Sequence, residues 1–308
     1  MSRAYLCVSV DTVSDQANGW KPRLPRSFEG ITDGVLQRLH PLFERFGAKP
    51  TYLLASEVLS DPRCVASFRA LAPTCELGTH LPRFAGNRAA AAPEPEIEIE
   101  RAELTSLTDA FIRAFEHQPQ SFRASRSRIG PTSMGILESL GYLVDSSVTP
   151  HVGAFHDAPS QPYRPDTLSP GQHGDATLLE VPITIRPHFL GAIPGIGRRF
   201  DARARWLRPT LGTPAALVRV AEDEMAAARR RSPTRPVILN AMLRNVEVVP
   251  SASPYGDDEA AAHGILDRLR ALLAYARREA IAVIGLGDVP SILATSAASD
   301  RGPRSRDA

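Results

Sequence analysis

Short apolar runs rich in β-forming residues alternate with amphipathic helical runs about seven times along this chain. Residues 5–10, 50–54, 76–79, 121–124, 142–147, 178–185, 237–243 and 280–284 read as strands. Residues 31–46, 97–115, 132–141, 214–231 and 257–278 carry helical spacing. In the first of these, Ile31, Val35, Leu39, Leu42, Phe43 and Phe46 share one face, and Gly47 is the stop. Strands and helices are not segregated into separate blocks, so the pattern predicts an α/β fold with a mostly parallel sheet and crossover helices. Polar side chains repeatedly follow the strands: Asp11, His80, Arg123, Asp145, His188 and Arg244. A closed barrel gathers such residues at one face, whereas an open sheet spreads them along a line. The gathering makes more chemical sense. The expected architecture is a distorted (β/α) barrel of about seven parallel strands with outer helices. Residues 1–295 are expected to form one domain, and 296–308 a polar, disordered tail.

Charge and cysteine content exclude several classes of function. Thirty-six basic and 34 acidic side chains give a net charge of +2 over 308 residues. That balance leaves no electrostatic footprint for nucleic acid or an anionic membrane. No run of about 18 apolar residues occurs, and the N-terminus lacks an apolar leader. Cys7, Cys64 and Cys75 are too few and too scattered for a disulfide framework. A cytoplasmic protein with reduced thiols is the expectation. Gly195-Ile196-Gly197 lacks the strand–turn–helix setting of a nucleotide-binding loop.

The chemistry-bearing residues fall at strand ends. Glu76-Leu77-Gly78-Thr79-His80 delivers a histidine at the end of a short strand, and Gly78 allows close backbone approach. Asp11 closes the first strand, with Asp15 four residues on. Two carboxylates there suit a general base and a metal ligand, or an Asx turn leaving the strand. Arg123, Arg126 and Arg128 cluster after 121–124. Asp145 with Ser146 and Ser147 either contacts a ligand or closes a strand end. His188 follows a strand, Arg244 ends another, and Tyr255 sits in a Pro-bounded loop. Residues 16–30 form a loop expected at the mouth of a barrel.

With these residues in place, the chain resembles the polysaccharide deacetylase family, carbohydrate esterase family four. The resemblance runs from about Tyr5 to Leu293. It rests on Ser9-Val10-Asp11-Thr12, Lys49-Pro50-Thr51-Tyr52-Leu53, Glu76-Leu77-Gly78-Thr79-His80-Leu81 and Ser121-Phe122-Arg123-Ala124. Gly141-Tyr142 with Asp145-Ser146-Ser147, Val246 to Pro250, and Ser253-Pro254-Tyr255 complete it. The resemblance implies a distorted barrel that removes acetyl groups from carbohydrate with a divalent metal, often zinc. It implies Asp11 as catalytic base, Arg123 as the residue orienting Asp11, and His80 as a metal ligand.

The pattern departs from the family at three positions. Thr12 stands where a metal-binding Asp is usual, Pro82 where a second His is expected, and Arg244 where a late-strand His supplies the acid. Asp15, His151, His156 or His188 are the candidates to replace missing ligands, with Asp15 the first choice. Asp11, Arg123 and Arg244 are the candidate catalytic residues. Arg126, Asp145, His188 and Tyr255 are the candidate substrate-binding residues. Glu247 is weighed as a buried partner for an arginine. Two readings follow: a deacetylase-like hydrolase of acetylated carbohydrate, or a degenerate barrel that binds a glycan or a protein partner. The metal site is expected to be degenerate, and Arg244 to pair with Asp11.

Overall fold

The computed structural model describes residues 2–17, 20–82, 94–125, 129–188, 203–255 and 258–300. Eight strands form one parallel sheet. They are β1 (Ala4–Thr12), β2 (Thr51–Leu54), β3 (Glu76–Leu81), β4 (Ser121–Ala124), β5 (Val144–Asp145), β6 (Leu179–Glu180), β7 (Val237–Arg244) and β8 (Ala282–Ile284). Seven lie in series in the order β7-β1-β2-β3-β4-β5-β6, and β8 pairs with β1. This is the expected distorted (β/α) barrel, with helices packed outside. β1 is the hub. One edge pairs with β7 from Ala4 to Asp11. The other is shared, β8 taking Tyr5–Cys7 and β2 taking Ser9–Thr12.

Period-2 alternation sorts β1 between two environments. Leu6, Val8 and Val10 point outward into the main core with Phe43, Phe68, Phe111 and Leu269. Cys7 points inward and joins Leu53, Val144, Leu179, Ile238 and Leu286, which fill the barrel floor. Above that floor the interior turns polar, with Ser9, Arg123, Ser146 and Asn240 all buried. Below it, half-buried Glu76 accepts from Thr51 Oγ1, Ser121 Oγ and the Gly287 amide, latching the turn Leu286–Asp288 to the strand bases. Lack of space requires a glycine at Gly78: a Cβ there would sit 2.5 Å from Ser121 O and 2.8 Å from Leu53 Cδ2.

The barrel is not closed by a ladder between β6 and β7. The segment after β6 crosses to β7 instead. Thr184 N donates to Asn240 O, Asn240 N to Thr184 Oγ1, and Asn240 Nδ2 to Val181 O, at 2.9, 2.8 and 3.1 Å. The strands expected over 142–147 and 178–185 shrink to two residues each. Side chains take over the ladder there: Ala124 N donates to Ser147 Oγ and Val148 N to Glu180 Oε1. The helix expected over 31–46 is two pieces, a π-wound Gly30–Leu39 running into α-helical His40–Phe46. The last helix is Val289–Asp300 and reaches into the segment expected as a disordered tail from residue 296. Residues 195–197 lie outside the described residues.

Asp145 faces away from the barrel interior. Val144 before it joins the apolar floor, and Ser146 after it contacts Arg123, so alternation turns Asp145 outward. There it meets Glu180, its register partner on β6. Burial raises the pKa of both carboxyls, that of Glu180 well above the usual carboxylate range. Asp145 Oδ2 has no fixed donor; a proton on Glu180 supplies one, so the pair shares a proton. Because both folded-state pKa values are raised, the stability they contribute is present at low pH and lost as pH rises above the carboxylate range. Glu180→Gln provides a permanent N–H donor. Thermal unfolding between about pH 5 and pH 9 is expected to show a flatter fall in Tm for this variant than for the parent; parallel curves would refute the shared proton.

Candidate functional site

The candidate site is built around one buried guanidinium. Arg123, on the inward face of β4, is 2% exposed. Its Nε donates to Ser146 O at 2.7 Å. Its terminal nitrogens donate to Asp11 Oδ1 at 2.9 Å, Ser9 Oγ at 2.7 Å and Ser146 Oγ at 2.8 Å. A charge so buried is tolerated only when paired and fully hydrogen-bonded, and here all three nitrogens are engaged. Ser9 and Ser146 in turn meet Asn240 of β7, at 3.0 and 2.8 Å. The polar layer therefore joins β1, β4, β7 and the end of β5.

His80 is held by the same residue's backbone. Its Nδ1 lies 2.9 Å from Arg123 O. A carbonyl only accepts, so the proton sits on Nδ1 and Nε2 presents a lone pair. Nε2 stands 3.9 Å from Asp11 Oδ2. Burial lowers the pKa of His80, against the raising effect of Asp11, so the ring is neutral at pH 7. For Asp11, burial pushes the pKa up, but His80, Arg123 and Arg244 outweigh it and the net shift is downward. The arrangement is an ionised carboxylate facing a neutral imidazole lone pair, suited to moving a proton.

The donor set does not fit zinc. Protein zinc takes three or four protein ligands, and Asp11 with His80 supplies two. Thr12 commits its hydroxyl to Val10 O. Pro82 has no side-chain donor atom. Asp15, the expected substitute, is engaged elsewhere. Its oxygens accept the Glu29 and Gly30 amides at 2.8 and 2.7 Å, satisfying the start of Gly30–Leu39. Among the described residues, no group of three or more His, Cys, Asp or Glu is arranged to hold a metal ion.

Arg244 adjoins Asp11 in the β1–β7 register. The expected ion pair between them is absent, because Asp11 is already paired with Arg123. The Arg244 guanidinium lies over the Trp20 ring, 4.2 Å from its centroid, and 3.9 Å from Glu247 Oε1. Fully buried Glu247 is indeed an arginine's partner, that of Arg208, and also accepts from Thr210. Arg208 lies over the Tyr255 ring at 5.3 Å, and Tyr255 meets Trp20 edge-on at 5.5 Å. The loop expected at the mouth thus supplies Trp20, and Tyr255 stands beside it.

Other candidates lie elsewhere. Asp145 is buried against Glu180 on the outer face. The strongest charges acting on Asp11 and His80 are one another, Arg123 and Arg244; His188 lies two residues beyond the short strand Ile185–Arg186. Arg126 lies outside the described residues. His151 and His156 line a different cavity of about 590 Å³, with Ser160, His173 and Arg235. Trp20 and Arg208 were not singled out from the sequence; the aromatic in a mouth loop was the one available signal, and nothing local marks Arg208.

Replacing Arg123 by Met leaves Asp11 buried and uncompensated, and is expected to cost about 3–5 kcal/mol in denaturant unfolding. Adding Asp11→Asn is expected to restore part of that loss. Equal stability of the double and single variants would show that the pair is not what Arg123 holds.

No protein-family model matches the sequence, and no curated protein matches it. Solved structures match it in shape. One from Parabacteroides distasonis, assigned as a glycoside hydrolase/deacetylase, gives a TM-score of 0.62 at 11% identity, over 94% of this chain and 71% of that one. One from Pseudomonas aeruginosa PAO1, assigned as a polysaccharide deacetylase, gives 0.56 at 14% identity, over 94% and 91%. The Puue allantoinase gives 0.56 at 13% identity, over 94% and 90%. At such identities the likeness carries the fold alone: this chain has the barrel of these structures, polysaccharide deacetylases among them.

Proposed function

We propose that the protein is a deacetylase-like hydrolase of acetylated carbohydrate that works by proton transfer at His80 and Asp11. One observation carries this reading: Nε2 of His80 and Oδ2 of Asp11 face each other at 3.9 Å, with the histidine's proton fixed on Nδ1. The fold is also that of an allantoinase, so the choice of chemistry rests on the site and on the family resemblance of its motifs.

In this reading His80 Nε2 takes a proton from water as the water oxygen adds to the acetyl carbon. Asp11, with its lowered pKa, is the weaker base and stabilises the imidazolium through Oδ2. The bond from the acetyl carbon to the sugar oxygen or nitrogen then breaks. His80 returns the proton to that leaving atom, giving acetate and the deacetylated sugar. Arg123 positions both partners. No step runs through a metal. An amide must lose its resonance to be attacked, so acetyl esters are the easier substrates.

A second reading, glycan binding without turnover, is favoured by burial: Asp11 is 2% exposed and His80 1%. Acetate release from O-acetylated and N-acetylated oligosaccharides separates the two. Hydrolysis is expected to be faster on the esters and unchanged by a chelator. His80→Ala is expected to lower kcat by about 10²–10⁴-fold. Because burial holds the pKa of His80 below that of a free imidazole, the rate is expected to persist to lower pH than a free imidazole would allow and to fall only as the ring protonates. Saccharide binding with no acetate release would establish the second reading, and loss of activity on chelation would overturn the metal-free mechanism.

A further inference from the structure

The charges at the barrel mouth do not cancel. Asp11 is neutralised by Arg123 at 2.9 Å. Glu247 faces two guanidiniums and is engaged by that of Arg208, which it hydrogen-bonds. Burial pulls the pKa of Arg208 down, yet Glu247 outweighs burial and the shift is upward, the sign of a committed pair. Within the network of Asp11, Glu247, Arg123, Arg208 and Arg244, two carboxylates face three guanidiniums, and Arg244 is the cation left without a hydrogen-bonded carboxylate; nearby Asp15 is held by the Glu29 and Gly30 amides.

Of these three arginines, Arg244 is also the one whose side chain makes no hydrogen bond to a described residue. Its nearest carboxylate oxygen, Glu247 Oε1, is 3.9 Å away, beyond hydrogen-bond reach. The side chain is 19% exposed, and none of its nitrogens is both buried and without a partner, so its fork of five N–H donors meets solvent and is open to a ligand. Stacking on Trp20 fixes the plane of the guanidinium. A planar, oriented fork with uncommitted donors matches a carboxylate bidentately. Register adds a position. Arg244 and Asp11 are Cα partners on neighbouring strands, and neighbouring strands lie about 4.8 Å apart. The charge of Arg244 also acts on both Asp11 and His80, so an anion on Arg244 stands near the proposed reacting pair. The Trp20–Tyr255 pair beside it offers aromatic faces to a sugar.

We propose that the ligand of this site is an acidic saccharide, whose ring carboxylate is held by Arg244 next to Asp11 and His80. This rests on the carbohydrate reading above and narrows it to uronate-type sugars. Arg244 is a specificity residue here.

The test is calorimetric binding of a uronate oligosaccharide and of its neutral counterpart, with each carboxylate reduced to the alcohol. Parent protein, Arg244→Gln and Arg244→Lys are compared, with unaltered Tm as the control for folding. The parent is expected to prefer the uronate by at least about tenfold, the value of one charge-assisted contact. Arg244→Gln is expected to abolish that preference and leave binding of the neutral sugar unchanged. Arg244→Lys is expected to keep part of it. Binding of both sugars with no preference overturns the role of Arg244 while the carbohydrate reading stands. Binding of neither overturns the carbohydrate reading and this inference with it. Sodium acetate is the third arm: Arg244-dependent acetate binding without preference between the sugars assigns the cation to the released product and overturns the proposal.

Discussion

The Arg123–Asp11 pair is the interaction on which the rest of the site depends. Placing a guanidinium inside a barrel costs several kcal/mol in lost hydration unless every donor finds an acceptor. Here the acceptors come from β1 and from the end of β5, and Ser9 and Ser146 pass the network on to Asn240 of β7. The same residue sets both halves of the candidate catalytic pair. Its side chain fixes the Asp11 carboxylate, and its backbone carbonyl fixes the tautomer of His80. A shift of β4 would disturb the acid and the imidazole together, so geometry and protonation are governed from one point.

A zinc centre and the observed mouth are electrostatic alternatives. A dication needs converging lone pairs and tolerates few nearby cations. This mouth offers two lone-pair groups, with Arg244 in the strand register beside one of them. Thr12, Pro82 and Arg244 therefore do not act as three separate losses. Thr12 and Pro82 offer no free ligand and Arg244 places a positive charge in the strand register beside Asp11, so all three disfavour a dication in the same small volume.

The fold was legible because alternation of strand and helix is written in local periodicity. β1, β2, β4 and β7 appear close to the expected limits for that reason. The position of Asp11, His80, Arg123 and Arg244 at one end followed from their places at the ends of parallel strands. What escaped the sequence was the direction of individual side chains. Asp145 follows a strand residue as Asp11 does, but its neighbours Val144 and Ser146 take the inner face and turn it outward. Asp15 reads as a spare ligand, yet its partners are amides at a helix start fourteen and fifteen residues away. The Arg123–Asp11 pairing is the one the family resemblance implied; what failed was the further expectation of an Arg244–Asp11 pair, because the inner faces of β1 and β4 meet across the barrel and Arg123 already occupies the carboxylate. Arg208 had no local signal at all; its significance comes wholly from Glu247.

The placement of β1 bears on how the chain is made. Its first partner to be synthesised, β2, covers only Ser9–Thr12, while β7 and β8 complete the remaining edge positions from the far end of the sequence. The Glu76 latch likewise waits for the turn Leu286–Asp288. A ribosome must translate as far as β8 before β1 can be fully enclosed. Until then an apolar strand stands with open edges, exposed to other nascent chains. The barrel's hub is the first of its strands to emerge and among the last to be secured, which makes this a slow-closing topology.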